Sequence, residues 1–410
     1  MNIKFSHLPV LALSFCFTWA AHAQVQPGDE FPDWSDGYMD IHHISTGRGE
    51  CVFAILPDGT TMMIDAGETG TDSRNFKPNA SKSSGEWIAT YMHRMMQPLA
   101  DKKLDYILLS HFHDDHMGNV KLTNRKSAEG DYLLTGITDV GTLIPFDKII
   151  DRNWPDYNYP RPLTEDPDIQ NYLRFLKWHV AKGVKAEQFR VGTRDQFTLV
   201  RNAKNYPNFQ IRNIAANGQV WTGTHNNTRQ HFPPLDKLAE EDYPEENACS
   251  AAIKISYGKF DYFNGGDLVR TAKTGTWKDI EYPVGIATGP VDVCEVNHHG
   301  KDAMSADFVR AVAPRVFVIQ GFALSHPDAI AMKAMLAKNI YPGERDVFTS
   351  HLFDVNKKVL GQSLVRQFKS TQGHTVVRVY PGGDHYEVYV LDDTSEKYTI
   401  KSIHGKYESR

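Results

Sequence analysis

The stretch DYILLSHFHDDHMGNV, residues 105–120, runs from an apolar segment into three histidines and two aspartates within six positions. The apolar part, within LDYILLS, reads as a short buried strand ending at Ser110. In extended chain, side chains two apart point the same way, so His111 and His113 share a face. Asp115 and His116 fall where the chain turns toward a helix and can face a pocket from its other side. Imidazole with carboxylate suits zinc, manganese or iron better than calcium or magnesium. One short loop can thus serve two divalent cations ~3.5–4 Å apart.

The 410 residues around this loop are 41% hydrophobic and 23% charged, enough to bury a large core. The formal net charge is −5 and the sequence pI about 6.4. No basic block stands out, which disfavours nucleic acid as a partner. The opening residues MNIKFSHLPVLALSFCFTWAAHAQ carry Lys4, an apolar run Leu8 to Ala20, and the small-x-small triplet Ala21-His22-Ala23. This pattern predicts a signal peptide over 1–23, cleavage after Ala23, and an exported protein of the periplasm or the medium. No other run is long enough for a transmembrane segment. After cleavage Cys51, Cys249 and Cys294 remain, so one disulfide at most can form, and no CxxC pair supports a cysteine zinc site.

Residues 24–37 are rich in Pro, Gly and Asp and read as a leader segment before a domain spanning 38–410. YMDIHHIST and CVFAILPDGTTMMIDAG read as strands, the second folded into a hairpin at Pro57-Asp58-Gly59. Residues 86–99 have helical spacing. Residues 120–246 give a mixed signal, with one helix (DIQNYLRFLKWHVAKG) and one strand (NFQIRNIAA), and read as an elaboration. Beyond it come paired strands in SAAIKISYGKFDYFNGGDL, the helices SADFVRAVA and DAIAMKAMLAK, and the strand RVFVIQG. A β-hairpin region over 370–410 closes the chain. Hairpins first and alternating strands and helices later predict an α/β layered domain.

His111-Phe112-His113-Asp114-Asp115-His116 fits HxHxDH, and there the chain resembles the metallo-β-lactamase superfamily. MMIDAG, NGGD and VNHHG follow in family order. Closer resemblances are to the ComEC-like competence-protein hydrolase domains and to phosphorylcholine esterases, through GRGE (47–50), NACS (247–250), NHHG (297–300) and SHPD (325–328). The resemblance covers roughly 38–120 and 245–340. It implies a four-layer αββα metallo-β-lactamase sandwich, with the elaboration lying between the HxHxDH motif and the bridging aspartate.

It also implies a site. Asp65 would accept the second N–H of a ligand histidine and fix its ring. Asp267 would bridge two divalent cations, zinc by preference, with His111 and His113 on one and Asp115 and His116 on the other. His298 is the preferred further ligand of the latter and His299 the alternative, because only one of two neighbours in a strand faces inward. Asn247 stands where many members place a histidine, which weakens the His111/His113 position. Arg48, Glu50 and His326 are candidates for substrate contact, His326 also as a general acid. Together these imply metal-assisted hydrolysis of a small-molecule or cell-envelope phosphodiester, with Asp115 among the catalytic groups. A carboxylic ester, lactone or β-lactam is the alternative substrate. A metal-binding protein without turnover is the alternative class.

Overall fold

A computed structural model describes residues 25–70, 72–271 and 275–410. The expected signal peptide, residues 1–23, lies outside the described residues. The first strands are β1 (Met39–His43), β2 (Val52–Ile55), β3 (Thr61–Ile64), β4 (Leu104–Leu109), β5 (Phe146–Asp151) and β6 (Lys185–Gln188). Then come β7 (Phe209–Ala216), β8 (Gln219–Trp221), β9 (Thr228–Gln230), β10 (Ala252–Tyr257), β11 (Phe260–Asn264) and β12 (Val293–Glu295). The last are β13 (Val316–Ile319), β14 (Asp346–Thr349), β15 (Phe368–Ser370), β16 (His374–Val379), β17 (His385–Leu391) and β18 (Ile400–Glu408).

Among the described residues they form two nine-stranded sheets, ordered β18-β17-β16-β1-β2-β3-β4-β5-β6 and β15-β14-β13-β12-β11-β10-β7-β8-β9. Each sheet is antiparallel on one side and parallel on the other: β3 to β6 run parallel in the first, β11 to β15 in the second. Parallel neighbours need crossovers, and helices supply them. Ser84–Met95, Gly136–Leu143 and Pro167–Ala181 serve the first sheet, and Glu281–Thr288, Ala306–Val312 and Ala329–Leu336 the second. Ser84–Met95 starts on a reciprocal cap, in which Ser83 Oγ accepts from the Glu86 amide and the Glu86 carboxylate from the Ser83 amide.

Three apolar layers separate the elements. Ile55, Met63, Ile107 and Ile149 of the first sheet meet Ile88, Met92, Ile137 and Phe175 of its helices. Ile41, Val52, Met62 and Leu108 meet Ile211, Ile253, Tyr262 and Val318 between the sheets. Phe263, Phe317 and Val347 meet Val284, Phe308 and Met332 on the far side. The result is the α/β/β/α layering expected. Strands covered on both faces have no solvent side, so LDYILL is buried at every position.

The paired histidines of β1 show the alternation. His42 Nδ1 bonds Tyr91 of the helix layer, while His43 Nε2 bonds Tyr262 of the other sheet. Residues 120–246 supply β5 and β6 to the first sheet and β7 to β9 to the second. Part of the leader also packs, since the Gly28 amide donates to Ile400 and Arg378 donates to the Pro32 carbonyl. Cys51, Cys249 and Cys294 are buried free thiols. No helix among the described residues is long and apolar enough to cross a membrane.

Candidate metal centre

The segments carrying the candidate ligands follow the carboxyl ends of strands. Asp65 follows β3, His111 to His116 follow β4, Asp267 follows β11, and His298 and His299 follow β12. Both sheets therefore deliver side chains to one seam, at the strand ends where open α/β sheets hold ligands.

Backbone contacts lace the first-sheet loops together. The Glu50 amide donates to Asp115 O at 2.8 Å, Gly67 N to Glu50 O at 2.9 Å, and Ala66 N to His116 O at 2.8 Å. The approach leaves no room for a side chain at Gly67, where a Cβ would stand 1.8 Å from Asp115 O. The second sheet is tied in by the Ala251 amide, which donates to Ser110 O, and its own two ligand loops are joined by the His298 amide, which donates to Gly266 O.

Asp267 sits at the centre. Its Oδ1 is 3.1 Å from His116 Nε2 and 3.4 Å from His299 Nε2. Its Oδ2 is 3.7 Å from His111 Nε2 and 3.8 Å from His298 Nε2. On the first side Asp115 Oδ2 also reaches His299 Nε2 at 3.3 Å. On the second, His113 Nδ1 lies 3.2 Å from His111 Nε2, and Asn247 Nδ2 lies 3.3 Å from His298 Nε2. Behind His116, Asp65 Oδ2 meets Nδ1 at 2.8 Å while accepting from Ser110 Oγ, and Asp65 Oδ1 accepts from the Ser110 amide.

Two positions differ from the sequence reading. His298 and His299 were expected on a strand, with one facing inward and His298 preferred beside Asp115 and His116. Instead residues 297–300 turn tightly, with His298 at φ 46° and His299 at φ 53°. Two successive left-handed residues abolish the alternation, so both rings reach Asp267. His299 takes the place beside Asp115 and His116, and His298 the place beside Asn247.

Arg48 and Glu50 were candidates for substrate contact, and both are buried. Arg48 is committed to Glu68 at 2.8 Å and lies over the Phe76 ring. Glu50 Oε2 is 3.3 Å from His299 Nδ1. Glu50, His116, Asp267 and His299 are near enough to surround one ion, and His111, His113 and Asp267 another. Since Asp115 and Asp267 face the Nε2 edge of His299, Glu50 stands behind that ring. His326 is buried and stacks on the His299 ring with centroids 4.7 Å apart.

The charge pattern calls for cations. Burial lowers the affinity of His116 and His299 for protons, yet Asp267, with Asp115 and other carboxylates, outweighs it and raises both, His299 to about 10. Burial likewise opposes ionisation of Asp115 and Asp267, but His116 and His299 hold both well below the usual carboxylate range. Buried carboxylates here require positive charge, which a divalent ion supplies as well as protons do. The donor atoms fit such an ion: both Asp267 oxygens, His116 Nε2, His299 Nε2 and Asn247 Oδ1 are buried without a hydrogen-bond partner.

Supporting residues escaped the sequence reading. Arg152 is wholly buried, donates to Glu246 Oε1 at 3.1 Å, and lies over Phe112. The same Glu246 oxygen accepts from the Phe112 amide at 2.9 Å, fixing the middle of the His111–His113 segment. Behind Glu50, burial and the Glu50 charge push Glu295 up to about 8, and Tyr262 and Gln320 donate to its carboxyl.

Residues 46–135 match the family model described as Metallo-beta-lactamase superfamily. No curated protein matches the chain. Solved structures similar to it include the metallo-beta-lactamase fold protein YhfI from Bacillus subtilis, at 11% identity and TM-score 0.37, covering 75% of this chain and 96% of that one. Zn(2+)-bound PqqB from Methylobacterium extorquens is 11% identical at TM-score 0.35, covering 68% and 88%. A diphosphatase from the PhnP family is 8% identical at TM-score 0.33, covering 84% and 98%. The family match spans Asp65 and the whole 111–116 loop, and the two-sheet sandwich around them is consistent with the metallo-beta-lactamase fold.

Proposed function

We propose that the protein is an exported hydrolase that uses two divalent cations, zinc by preference, to cleave phosphodiesters. The observation that carries this reading is Asp267, whose two buried oxygens lack hydrogen bonds and face imidazoles on opposite sides. An unpaired buried carboxylate is costly, and cations shared between the two sides offset that cost. Divalent ions there would polarise an ester oxygen and make water acidic enough to attack near neutral pH.

The chain's own groups orient the reactants. His113, Asp115, Asn247 and His298 are the partly exposed members of the cluster, so substrate enters between them. Asp115 Oδ2 lies 3.3 Å from His299 Nε2 and is partly exposed, which suits it to align an entering water. His326, stacked on His299, keeps that ring from tilting. The phosphodiester preference is supported by the GRGE, NACS, NHHG and SHPD motifs, and export by the pattern of residues 1–23.

The test is hydrolysis of bis(p-nitrophenyl) phosphate beside a chromogenic β-lactam. The expected result is turnover of the phosphodiester, abolished by chelation and by Asp115→Ala. Preferential turnover of the lactam moves the assignment to carboxylic-type esters. Turnover of neither by the metal-loaded chain makes it a metal-binding protein.

A further inference from the structure

We infer that the two cation positions differ in strength, and that Glu50 is the positioning residue that makes the Asp115/His116/His299 position the tighter one. The inference rests on the two-cation reading above and goes beyond it, since it concerns which position fills first.

The asymmetry lies behind the rings. A carboxylate on the far nitrogen of a ligand histidine fixes its tautomer and raises its basicity, and removing one costs about 10–100-fold in metal affinity. Both histidines of the Asp115 side have a carboxylate at that nitrogen: Asp65 is bonded to His116 Nδ1 at 2.8 Å, and Glu50 Oε2 lies 3.3 Å from His299 Nδ1, in ion-pair range but not aligned as a hydrogen bond. Among the described residues the other side has no such carboxylate. His111 Nδ1 meets the Ser110 hydroxyl at 3.1 Å, and His298 Nδ1 is buried with no hydrogen bond and, unlike His299 Nδ1, with no carboxylate in ion-pair range among the described residues. A third contributor there is the amide of Asn247, a weaker donor to a metal than imidazole. Access differs in the same sense. On the first side His116 and His299 are buried and Asp115 is partly exposed, whereas on the second His111 alone is buried and His113, Asn247 and His298 are partly exposed.

Glu50 is also fixed in place. Its amide donates to Asp115 O and its carbonyl accepts from Gly67, so its carboxylate is carried on the same lacing that holds the ligand loop. At limiting metal one cation therefore occupies the Asp115/His116/His299 position. The second loads between His111, His113 and Asp267 only at higher concentration, and catalysis that needs both ions follows this weaker step.

The test is titration of the metal-stripped full chain with Zn²⁺ against a competing chromogenic chelator, and with Co²⁺ read by visible absorption. Two steps separated by at least about tenfold are expected. Glu50→Gln keeps an acceptor of the same size, so it should weaken the tight step by about tenfold, leave the weak step unmoved, and leave the one-equivalent cobalt spectrum unchanged. Asn247→His, on the exposed side, should tighten the weak step alone. Equal affinities overturn the inference, as does a Glu50→Gln variant that shifts neither step. A changed cobalt spectrum at one equivalent overturns it too, by making Glu50 a ligand. Failure to bind any cation overturns the metal-centre reading itself, a result distinct from two equal steps.

Discussion

Asp65 shows how much structure one residue commits to this site. It adopts φ 58°, a left-handed conformation that costs a non-glycine residue about 1–2 kcal/mol but suits Asp and Asn better than most. The conformation is held because the side chain accepts from the Ser110 amide at 2.7 Å, from Ser110 Oγ at 2.6 Å, and from His116 Nδ1 at 2.8 Å. One carboxylate thus fixes both the start of the ligand loop and its last histidine. Asp65→Asn keeps the turn but turns one acceptor into a donor. We predict a fold retained by circular dichroism and a tight-step Zn²⁺ affinity lowered about 10–100-fold, measured by chelator competition. Wild-type affinity in that variant would remove Asp65 from the support of His116.

At the scale of elements, strand ends and their loops decide the site, and close backbone approach is their shared device. A methyl at Gly67 would sit 1.8 Å from Asp115 O, so Gly67→Ala must separate the 65–69 and 114–116 segments. A loss of about 1–3 kcal/mol in denaturant unfolding is expected, together with weakened metal binding. The Arg152–Glu246 pair supports the same loop from β5. Arg152→Met leaves Glu246 without its charge partner beside the Phe112 amide, and an unfolding cost of about 3 kcal/mol is expected. These supports explain what could be read from the sequence. The 111–116 ligands are legible because their spacing is local, and β4 because an apolar run covered on both faces has no other place. Glu246 and Arg152 lie 94 positions apart, and no local pattern joins them. The turn holding both His298 and His299 inward depends on two left-handed residues that no glycine announces. β6 and β18, at the edges of the first sheet, read KAEQ and IKSIHGKYE, and edge strands carry polar residues that blur the strand signal.

At the scale of the molecule the cluster joins two sheets, with Asp65 and residues 111–116 from one and Asp267, His298 and His299 from the other. A cation bound across that seam favours the folded state by mass action, about 2.7 kcal/mol at a free concentration one hundred times Kd. Chelation should therefore lower the melting temperature, and an unchanged one would mean that no ion bridges the sheets. Away from the seam, β16 meets β1 at a buried histidine with its own pH signature. His374 Nδ1 accepts from the Ser45 amide at 3.0 Å, and its ring packs on Tyr91 and Tyr398. Burial holds the imidazole neutral and lowers it to about 4 from an ordinary value of 6.5. A depressed value in the folded state means that the stabilisation is present above pH 6.5 and is lost as pH falls through about 4. At 1.36 kcal/mol per unit the full loss is roughly 3 kcal/mol. His374→Asn keeps an acceptor for the Ser45 amide but cannot take up a proton. The variant should be less stable than wild type at pH 7.5, through lost packing, yet lose less stability between pH 6.5 and 4. Denaturant unfolding of both chains in chelator, at matched pH values, isolates the difference, because the carboxylates titrating in that window are common to both. Parallel pH profiles for the two chains would show that protonation of His374 does not couple to unfolding.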